Sequence, residues 1–314
     1  MLMVEPLSLA SLRDEFGDRV AFSVPLARFT AARIGGPAAA LVTVESAAEL
    51  SRAAGYLWDA GLEFRVLGAG SNVLVSDAGL EGVVVLNKAR EQRFLEAGDP
   101  PAVWAASGVN FGALARAAAS RGLSGLEWAA GIPGTIGGAV VGNAGAHGGD
   151  MAGTLIWTDL LQQGRGVVRR QAAELDYGYR RSNLKRSGTG IVVLAAQLRL
   201  ERASRETIET RMAAYLAHRK QTQPPGASMG SMFVNPPGDF AGRLIDAAGL
   251  KETRIGAAEI SPLHGNFFIN HGGATAADVL RLLDLARRTV IEKFGVRLEL
   301  EIELFGDMPE ILEK

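Results

Sequence analysis

Hydrophobic and polar positions alternate most regularly near the end of the chain. From Val296 to Phe305, Val296, Leu298, Leu300, Ile302 and Leu304 share one parity, and Arg297, Glu299, Glu301 and Glu303 share the other. A period of two predicts a strand over 296–305 with one apolar and one mainly acidic face. Elsewhere the period lengthens. Thr275-Ala-Ala-Asp278 is a capping box that predicts a helix to Phe294, stopped by Gly295. Ser204 opens another, through about Arg219, with Ile208, Met212, Tyr215 and Leu216 at helical spacing. Ser46-Ala-Ala-Glu49 heads a helix to about Ala60, closed by Gly61. Two shorter helices follow Asn110 (to near Gly122) and Asp239 (to Ala248). Apolar runs predict strands over 40–44, 64–67, 103–107, 166–170 and 191–200, and Met151–Leu161 alternates weakly. Residues 1–20 read as a loose start and a short helix.

These elements predict an α+β fold. Residues 22–88 form a small α+β unit, and 89–201 are richer in strand. The composition shifts around Gln223-Pro224-Pro225-Gly226, which places a last domain at 202–306.

Glycine punctuates this pattern in three places. The densest is Gly131–Gly149, GIPGTIGGAVVGNAGAHGG. Such a run weakens any helix or strand, and it lets a ligand lie directly on the backbone. Linkers are polar and serine-rich, whereas this stretch carries Ile132, Ile136, Val140 and Val141, which predict packing. Its expected surface is a set of backbone N–H groups aimed at an anion. The second place is Gly68-Ala-Gly-Ser-Asn72, after the strand at 64–67. It fails as a dinucleotide-binding G-x-G-x-x-G. Val73 stands at the third glycine position, and the following VLVSDAGLEGVVVL reads as strand, not helix. The third is Thr30–Pro37, a turn with Arg33 beside Gly35-Gly36.

Composition narrows the chemistry. The chain has 314 residues, 47% hydrophobic and 21% charged, with a net charge of −1. That is an ordinary globular balance, with no basic field to invite nucleic acid. Cysteine is absent, which excludes a thiol nucleophile and a disulfide framework and fits a cytoplasmic location. No apolar run predicts membrane insertion, the N-terminus lacks a signal-peptide layout, and nothing marks an obligate protein partner. His147, His218, His264 and His271 lack metal-ligand spacing, so no metal site is expected. There is no P-loop and no G-x-S-x-G elbow. The arginine-rich segment 165–186 reads as a solvated loop.

Three polar points remain. In Tyr177-Gly-Tyr179-Arg180-Arg181-Ser182, two aromatics beside an arginine can wall a pocket and offer a planar guanidinium to an anion. In Gly230-Ser231-Met232-Phe233-Val234-Asn235-Pro236, a turn can hold a serine hydroxyl. The third is the acidic parity of 297–303. Taken singly, each also fits a structural role: a surface arginine, a turn serine, a solvated glutamate.

Together the motifs carry a resemblance. Gly68-Ala-Gly-Ser-Asn72, Gly131-Ile-Pro-Gly-Thr-Ile-Gly-Gly138, Gly142-Asn-Ala-Gly145, Tyr179-Arg180-x-Ser182, Gly230-Ser231-x-Phe233-x-Asn235-Pro236 and Leu298-Glu-x-Glu301 occur in this order. The set resembles the UDP-N-acetylenolpyruvoylglucosamine reductase (MurB) family of peptidoglycan synthesis, from about Arg28 to Gly306. The resemblance implies a two-subdomain FAD-binding fold of the vanillyl-alcohol oxidase (PCMH) type, followed by an α+β domain for the UDP-sugar. It implies non-covalent FAD, NADPH as co-substrate, and reduction of UDP-N-acetylglucosamine enolpyruvate to UDP-N-acetylmuramate. Carried over by motif, Arg180 and Glu301 stabilise an enolate and Ser231 protonates it. FAD falls to Arg33, Gly68, Ala69, Gly70, Ser71, Asn72, Gly131, Pro133, Gly134, Thr135, Gly137, Gly138, Asn143, Ala144 and Gly145. Substrate falls to Tyr179, Arg219, Gln221, Asn235, His264 and Asn266. Val234 stands where the family often has lysine. The few residues between Arg180 and Ile191 leave no room for the substrate-capping insertion of one subgroup, so the chain resembles the shorter type II form.

Two other readings stay open on the residues alone. An alcohol or sugar-lactone oxidase of the same superfamily commonly tethers FAD to histidine or cysteine. Cysteine is absent here, and His147 is the only histidine in the expected FAD half. A non-catalytic nucleotide-sugar regulator predicts erosion at Arg180, Ser231 or Glu301, and all three are present.

Overall fold

The computed structural model describes residues 11–186 and 190–308. The loose start expected over residues 1–10 lies outside them. Nine α-helices occur among the described residues: α1 (Ser11–Phe16), α2 (Ala47–Asp59), α3 (Phe111–Ala119), α4 (Ile136–Gly142), α5 (Met151–Thr154), α6 (Asn183–Arg186), α7 (Arg205–Thr222), α8 (Ala241–Ala247) and α9 (Ala276–Phe294). The described residues divide into two compact units. One gathers 11–22, 40–69 and 82–217, and the other 23–39, 70–81 and 218–308.

The first unit contains helices, a five-stranded sheet and most of a four-stranded one. A four-stranded sheet has the order Val20–Pro25, Pro37–Val44, Leu80–Asn87, Phe64–Leu67, with the last two parallel. Helix α2 buries Leu50, Ala53, Ala54 and Leu57 in its core. The predicted cap is half realised. Ser46 Oγ accepts the Glu49 N–H (3.1 Å), while the Glu49 carboxylate accepts the N–H of Glu45 (2.8 Å). A five-stranded antiparallel sheet has the order Gly166–Gln171, Leu155–Gln162, Ile191–Arg199, Ala102–Ala106, Gln92–Leu95. A second core buries Phe111 and Leu114 of α3, Ile136 and Val140 of α4, and Ile208 and Met212 of α7. Leu216, expected on the apolar stripe of α7, is instead 41% exposed. Glu127 is buried in this unit. It accepts from Ser124 Oγ (2.6 Å) and the Gly125 N–H (2.7 Å) and pairs with Arg211 of α7 (3.2 Å).

In the second unit an antiparallel sheet of Arg254–Ile255, Ala258–Ile260 and Phe268–Asn270 packs with α8 and α9. Helix α9 has the complete predicted box. Thr275 Oγ1 accepts the Asp278 N–H, and Asp278 Oδ2 accepts the Thr275 N–H, both at 3.1 Å. Asp77 adds a second carboxylate at this positive end, accepting from Ala276 (2.7 Å) and Ala277 (3.0 Å).

Four local expectations change. Only Glu303–Phe305 of the expected strand 296–305 forms a ladder, parallel to Val73–Val75. Upstream, Leu300 makes an isolated bridge to Phe233. The parity still shows in burial: Leu298 and Ile302 are buried, and Arg297 and Glu299 are exposed. The dense glycine stretch, expected to resist regular structure, holds α4, because buried Ile136 and Val140 outweigh its poor propensity. Met151–Leu161 opens with the helical turn α5 and becomes strand only at Leu155. Helix α8 starts at Ala241 and is capped by Asn235 Oδ1 (3.0 Å), whereas Asp239 pairs with Arg243.

Candidate active site

In the first unit the two principal glycine runs meet. A Cβ at Gly68 would lie 2.5 Å from Thr135 Oγ1, so this approach needs glycine. The Gly137 N–H donates to the Ser107 carbonyl (2.8 Å), and the Gly134 carbonyl accepts from Phe111 (3.1 Å). At Gly138, by contrast, a Cβ would meet only Thr135 Oγ1 at 3.9 Å, and at Gly142 nothing within 4 Å. The run is therefore packed on one side and open on the other.

Helix α4 ends on Asn143, which is left-handed (φ 44). Its amide donates to the Gly178 carbonyl and accepts from the Ala152 N–H, both at 2.9 Å. Ala144 and Gly145 continue into a small antiparallel pairing in which Gly145 stands opposite Asp150. Three hydrogen bonds tie the segment 177–182 to α4. Besides Asn143, Tyr177 Oη donates to Val140 O (2.9 Å) and Ser182 Oγ to Val141 O (2.5 Å). Tyr177, expected as a pocket wall, is thus a strut; burial, then the nearby Asp150 charge, raises its pKa and keeps the phenol protonated. Gly178 and Arg181 pair across a two-residue tip made of Tyr179 and Arg180. Arg180 has φ 55, which costs a non-glycine residue about 1–3 kcal/mol. Tyr179 is 60% exposed.

In the second unit the turn at Thr30–Pro37 is closed by the buried Thr30 hydroxyl, which donates to the Ile34 carbonyl (2.8 Å). Arg33 is exposed on it, with φ 57. The Ala31 N–H donates to Gly70 O (2.9 Å), which joins this turn to Gly70-Ser71-Asn72. Asn72 reaches further: its Nδ2 donates to the Glu301 carbonyl (3.1 Å) and its carbonyl accepts from Glu303 (2.9 Å).

The same unit brings Ser231 and Glu301 into one backbone arrangement. The segment 231–234 runs antiparallel to 299–301. The Glu301 N–H donates to Met232 O, and the Val234 N–H to Glu299 O, both at 2.9 Å. Ser231 and Glu301 are half-buried, and Glu299 is exposed, so burial separates two glutamates that strand parity alone leaves equivalent. Asn266 is buried behind this segment, bonded to the backbone of Phe233. His264 Nδ1 accepts the Asn266 N–H (3.2 Å); burial, then the charge of Lys251, lowers the His264 pKa and keeps the ring neutral. Arg219 on α7 is half-buried, and desolvation lowers its pKa; Gln221 is exposed. Asn270 escaped the sequence reading, yet it donates to Ala32 O (2.9 Å) and accepts from Gly272 and Ala274. Its signal was an Asn-His-Gly-Gly turn after a short apolar run. Among the described residues there is no group of acidic, histidine or cysteine side chains that could hold a metal, and no helix long and apolar enough to cross a membrane.

Comparison with known proteins decides the family. The model described as "UDP-N-acetylenolpyruvoylglucosamine reductase, C-terminal domain" matches residues 221–305, and "FAD binding domain" matches 38–169. The UDP-N-acetylenolpyruvoylglucosamine reductase of Chloroflexus aggregans is 46% identical over 283 residues, 89% of this chain and 95% of that one. The chain belongs to the UDP-N-acetylenolpyruvoylglucosamine reductase family. A relative from Rubrobacter xylanophilus is also 46% identical, over 91% of this chain and 95% of its own. The crystal structure of the Thermus caldophilus MurB reductase is 41% identical, with a TM-score of 0.77, covering 90% of this chain and 97% of that one.

FAD fits the residues of this family member. The glycine run at 131–145 is anchored through Gly134 and Gly137 and is bare at Gly138 and Gly142, which face open space. A flat ring such as that of FAD lies closely only on such bare backbone.

Proposed function

We propose that this chain is an FAD-dependent oxidoreductase that reduces the enolpyruvyl group of UDP-N-acetylglucosamine enolpyruvate to UDP-N-acetylmuramate in peptidoglycan synthesis, in the cytoplasm and with NADPH as reductant. The observation that carries this reading is the pairing of the Ser231 segment with the Glu301 segment in a member of the family. We divide the chain functionally at 22–88 and 89–201 for the two parts of a vanillyl-alcohol-oxidase-type FAD half, and at 202–306 for the substrate domain. FAD would be held by Arg33, by Gly68–Asn72, by the backbone of 131–138 and by Asn143–Gly145. When bound, FAD would supply hydride chemistry between NADPH and the enolpyruvyl carbon.

The side chains then manage charge and a proton. Hydride addition leaves an enolate. Arg180 offers it a fixed guanidinium on a tip strapped to α4. Glu301 shares with Arg180 in stabilising that enolate. Ser231 gives the proton; an alcohol is a very weak acid, so only a strongly basic carbon acceptor takes it. Arg219 is a half-buried cation, suited to the carboxylate or diphosphate of the sugar nucleotide, with Tyr179 and Gln221 as exposed flanks. Val234 carries no charge, so a cationic contact beside Ser231 must come from another residue. The assay is NADPH oxidation that depends on the enolpyruvyl sugar. Oxidation equally fast without it would contradict the reading.

Two further outcomes are expected. FAD should be non-covalent, since cysteine is absent and the one histidine of the FAD half, His147, is stacked on Tyr215. Acid precipitation should leave a colourless pellet and a yellow supernatant, and a yellow pellet would refute it. Glu301→Gln should slow substrate reduction by roughly 10²-fold, the lower end of what one group that stabilises developing charge contributes. Glu299→Gln, at an exposed position, should stay within about twofold. Equal effects would remove Glu301 from the site.

A further inference from the structure

We infer that Asn266 positions Ser231 and does not itself touch the substrate. The inference rests on the reading of Ser231 as proton donor. Asn266 is 2% exposed, and each of its polar atoms is engaged inside the protein. Oδ1 accepts the Phe233 N–H (2.9 Å), and Nδ2 donates to the Phe233 carbonyl (2.8 Å). Its backbone carbonyl accepts the Met232 N–H (2.9 Å), and its own N–H donates to His264 Nδ1 (3.2 Å).

The side-chain amide thus copies a peptide unit. It pairs with Phe233 on both the donor and the acceptor side, as a neighbouring strand would. Phe267 makes an antiparallel bridge with Ser231 itself. The opposite edge of 231–234 is held by the backbone of Glu299 and Glu301. Ser231 therefore starts a short segment clamped from two sides, with its own side chain half-buried. The clamp needs a donor and an acceptor in one small planar group. Aspartate lacks the donor, and its second oxygen would face the Phe233 carbonyl. The neutral state of His264 belongs to the same device, because Nδ1 accepts from Asn266 only when unprotonated.

The test uses the FAD-loaded protein with Asn266→Asp and Asn266→Ser. Stopped-flow absorbance reads reduction by NADPH and reoxidation by the enolpyruvyl sugar separately, and calorimetry reads the Kd of UDP-N-acetylmuramate. Misplacing Ser231 should slow reoxidation by roughly 10–100-fold, the scale of an ångström-sized error in a reacting group. Reduction by NADPH and the Kd should each change by less than about twofold. In a Ser231→Ala background, Asn266→Asp should add almost nothing, because the group it positions is gone. A Kd weakened about tenfold or more would make Asn266 a substrate contact and overturn the inference. So would a full additional penalty on top of Ser231→Ala. If Ser231→Ala itself reoxidises at the wild-type rate, the proton-donor reading fails. If Ser231→Ala is slow while Asn266→Asp is not, only the positioning role fails. The wild-type protein gives a check independent of variant folding. The Asn266 side-chain amide resonances should hold their shifts when UDP-N-acetylmuramate is added, and a large shift would refute the assignment.

Discussion

Ser231→Ala should leave reduction by NADPH close to the wild-type rate and slow reoxidation by UDP-N-acetylglucosamine enolpyruvate by roughly 10²–10⁴-fold, the range for a lost general acid. The asymmetry follows from chemistry. Hydride transfer from NADPH creates no basic carbon on the protein's substrate, so it asks nothing of a weakly acidic hydroxyl. The enolate left after hydride addition to the enolpyruvyl ether does. Ser231→Cys should recover part of the rate, since a thiol also gives a proton. The substitution should be mild for the fold, because Ser231 sits on a segment held by the backbone bonds of Met232 and Val234. Equal slowing of both half-reactions would make Ser231 a binding or structural residue.

Arg180→Lys should lower the rate of substrate reduction by roughly 10²–10³-fold, as for a preorganised charge worth roughly 2.7–4 kcal/mol in the transition state. A planar fork on a fixed tip offers two parallel N–H donors, and a flexible ammonium does not reproduce them. The tip is held by Tyr177, Ser182 and Asn143, all bonded away from residue 180 itself, so thermal stability should change little. Arg181→Ala, at the exposed neighbouring position, serves as the control and should stay near wild type. A lysine variant with wild-type turnover would remove Arg180 from the chemistry.

Local chemistry was legible in the sequence where one residue's effect falls within a helical turn. The Thr275–Asp278 box, the Asn110 cap and the Gly295 stop all appear as read. Three kinds of feature were not legible. Strands of two or three residues, such as Arg254–Ile255 and Ala258–Ile260, are too short to show a period. Helix α4 contradicts its own propensity and exists through packing and the ties from 177–182. The alternation at 296–302 reports which side chains are buried, not which backbone groups are laddered. That is why it reads as one long strand and ends as three paired residues.

At the site, the order of motifs pointed to the residues now proposed for catalysis, but not to what holds them. Asn266 reaches Phe233 across 33 positions, Tyr177 reaches Val140 across 37, and Asn72 reaches Glu301 across 229. No local pattern encodes such bonds. Asn266 and Asn72 stood out only as motif members with a ligand role, and the structure shows their amides bonded to backbone. The exposure of Glu299 against the half-burial of Glu301 likewise depends on partners far along the chain.

The central claim is that this chain passes hydride to an enolpyruvyl sugar nucleotide. Anaerobic single turnover measures it most directly. The FAD-loaded protein is bleached with one equivalent of NADPH, oxygen is excluded, and UDP-N-acetylglucosamine enolpyruvate is added. The oxidised flavin band should return, with one equivalent of UDP-N-acetylmuramate formed per flavin. A flavin that stays bleached with the enolpyruvyl sugar, yet recovers at once when oxygen is admitted, would contradict the account and point to an oxidase.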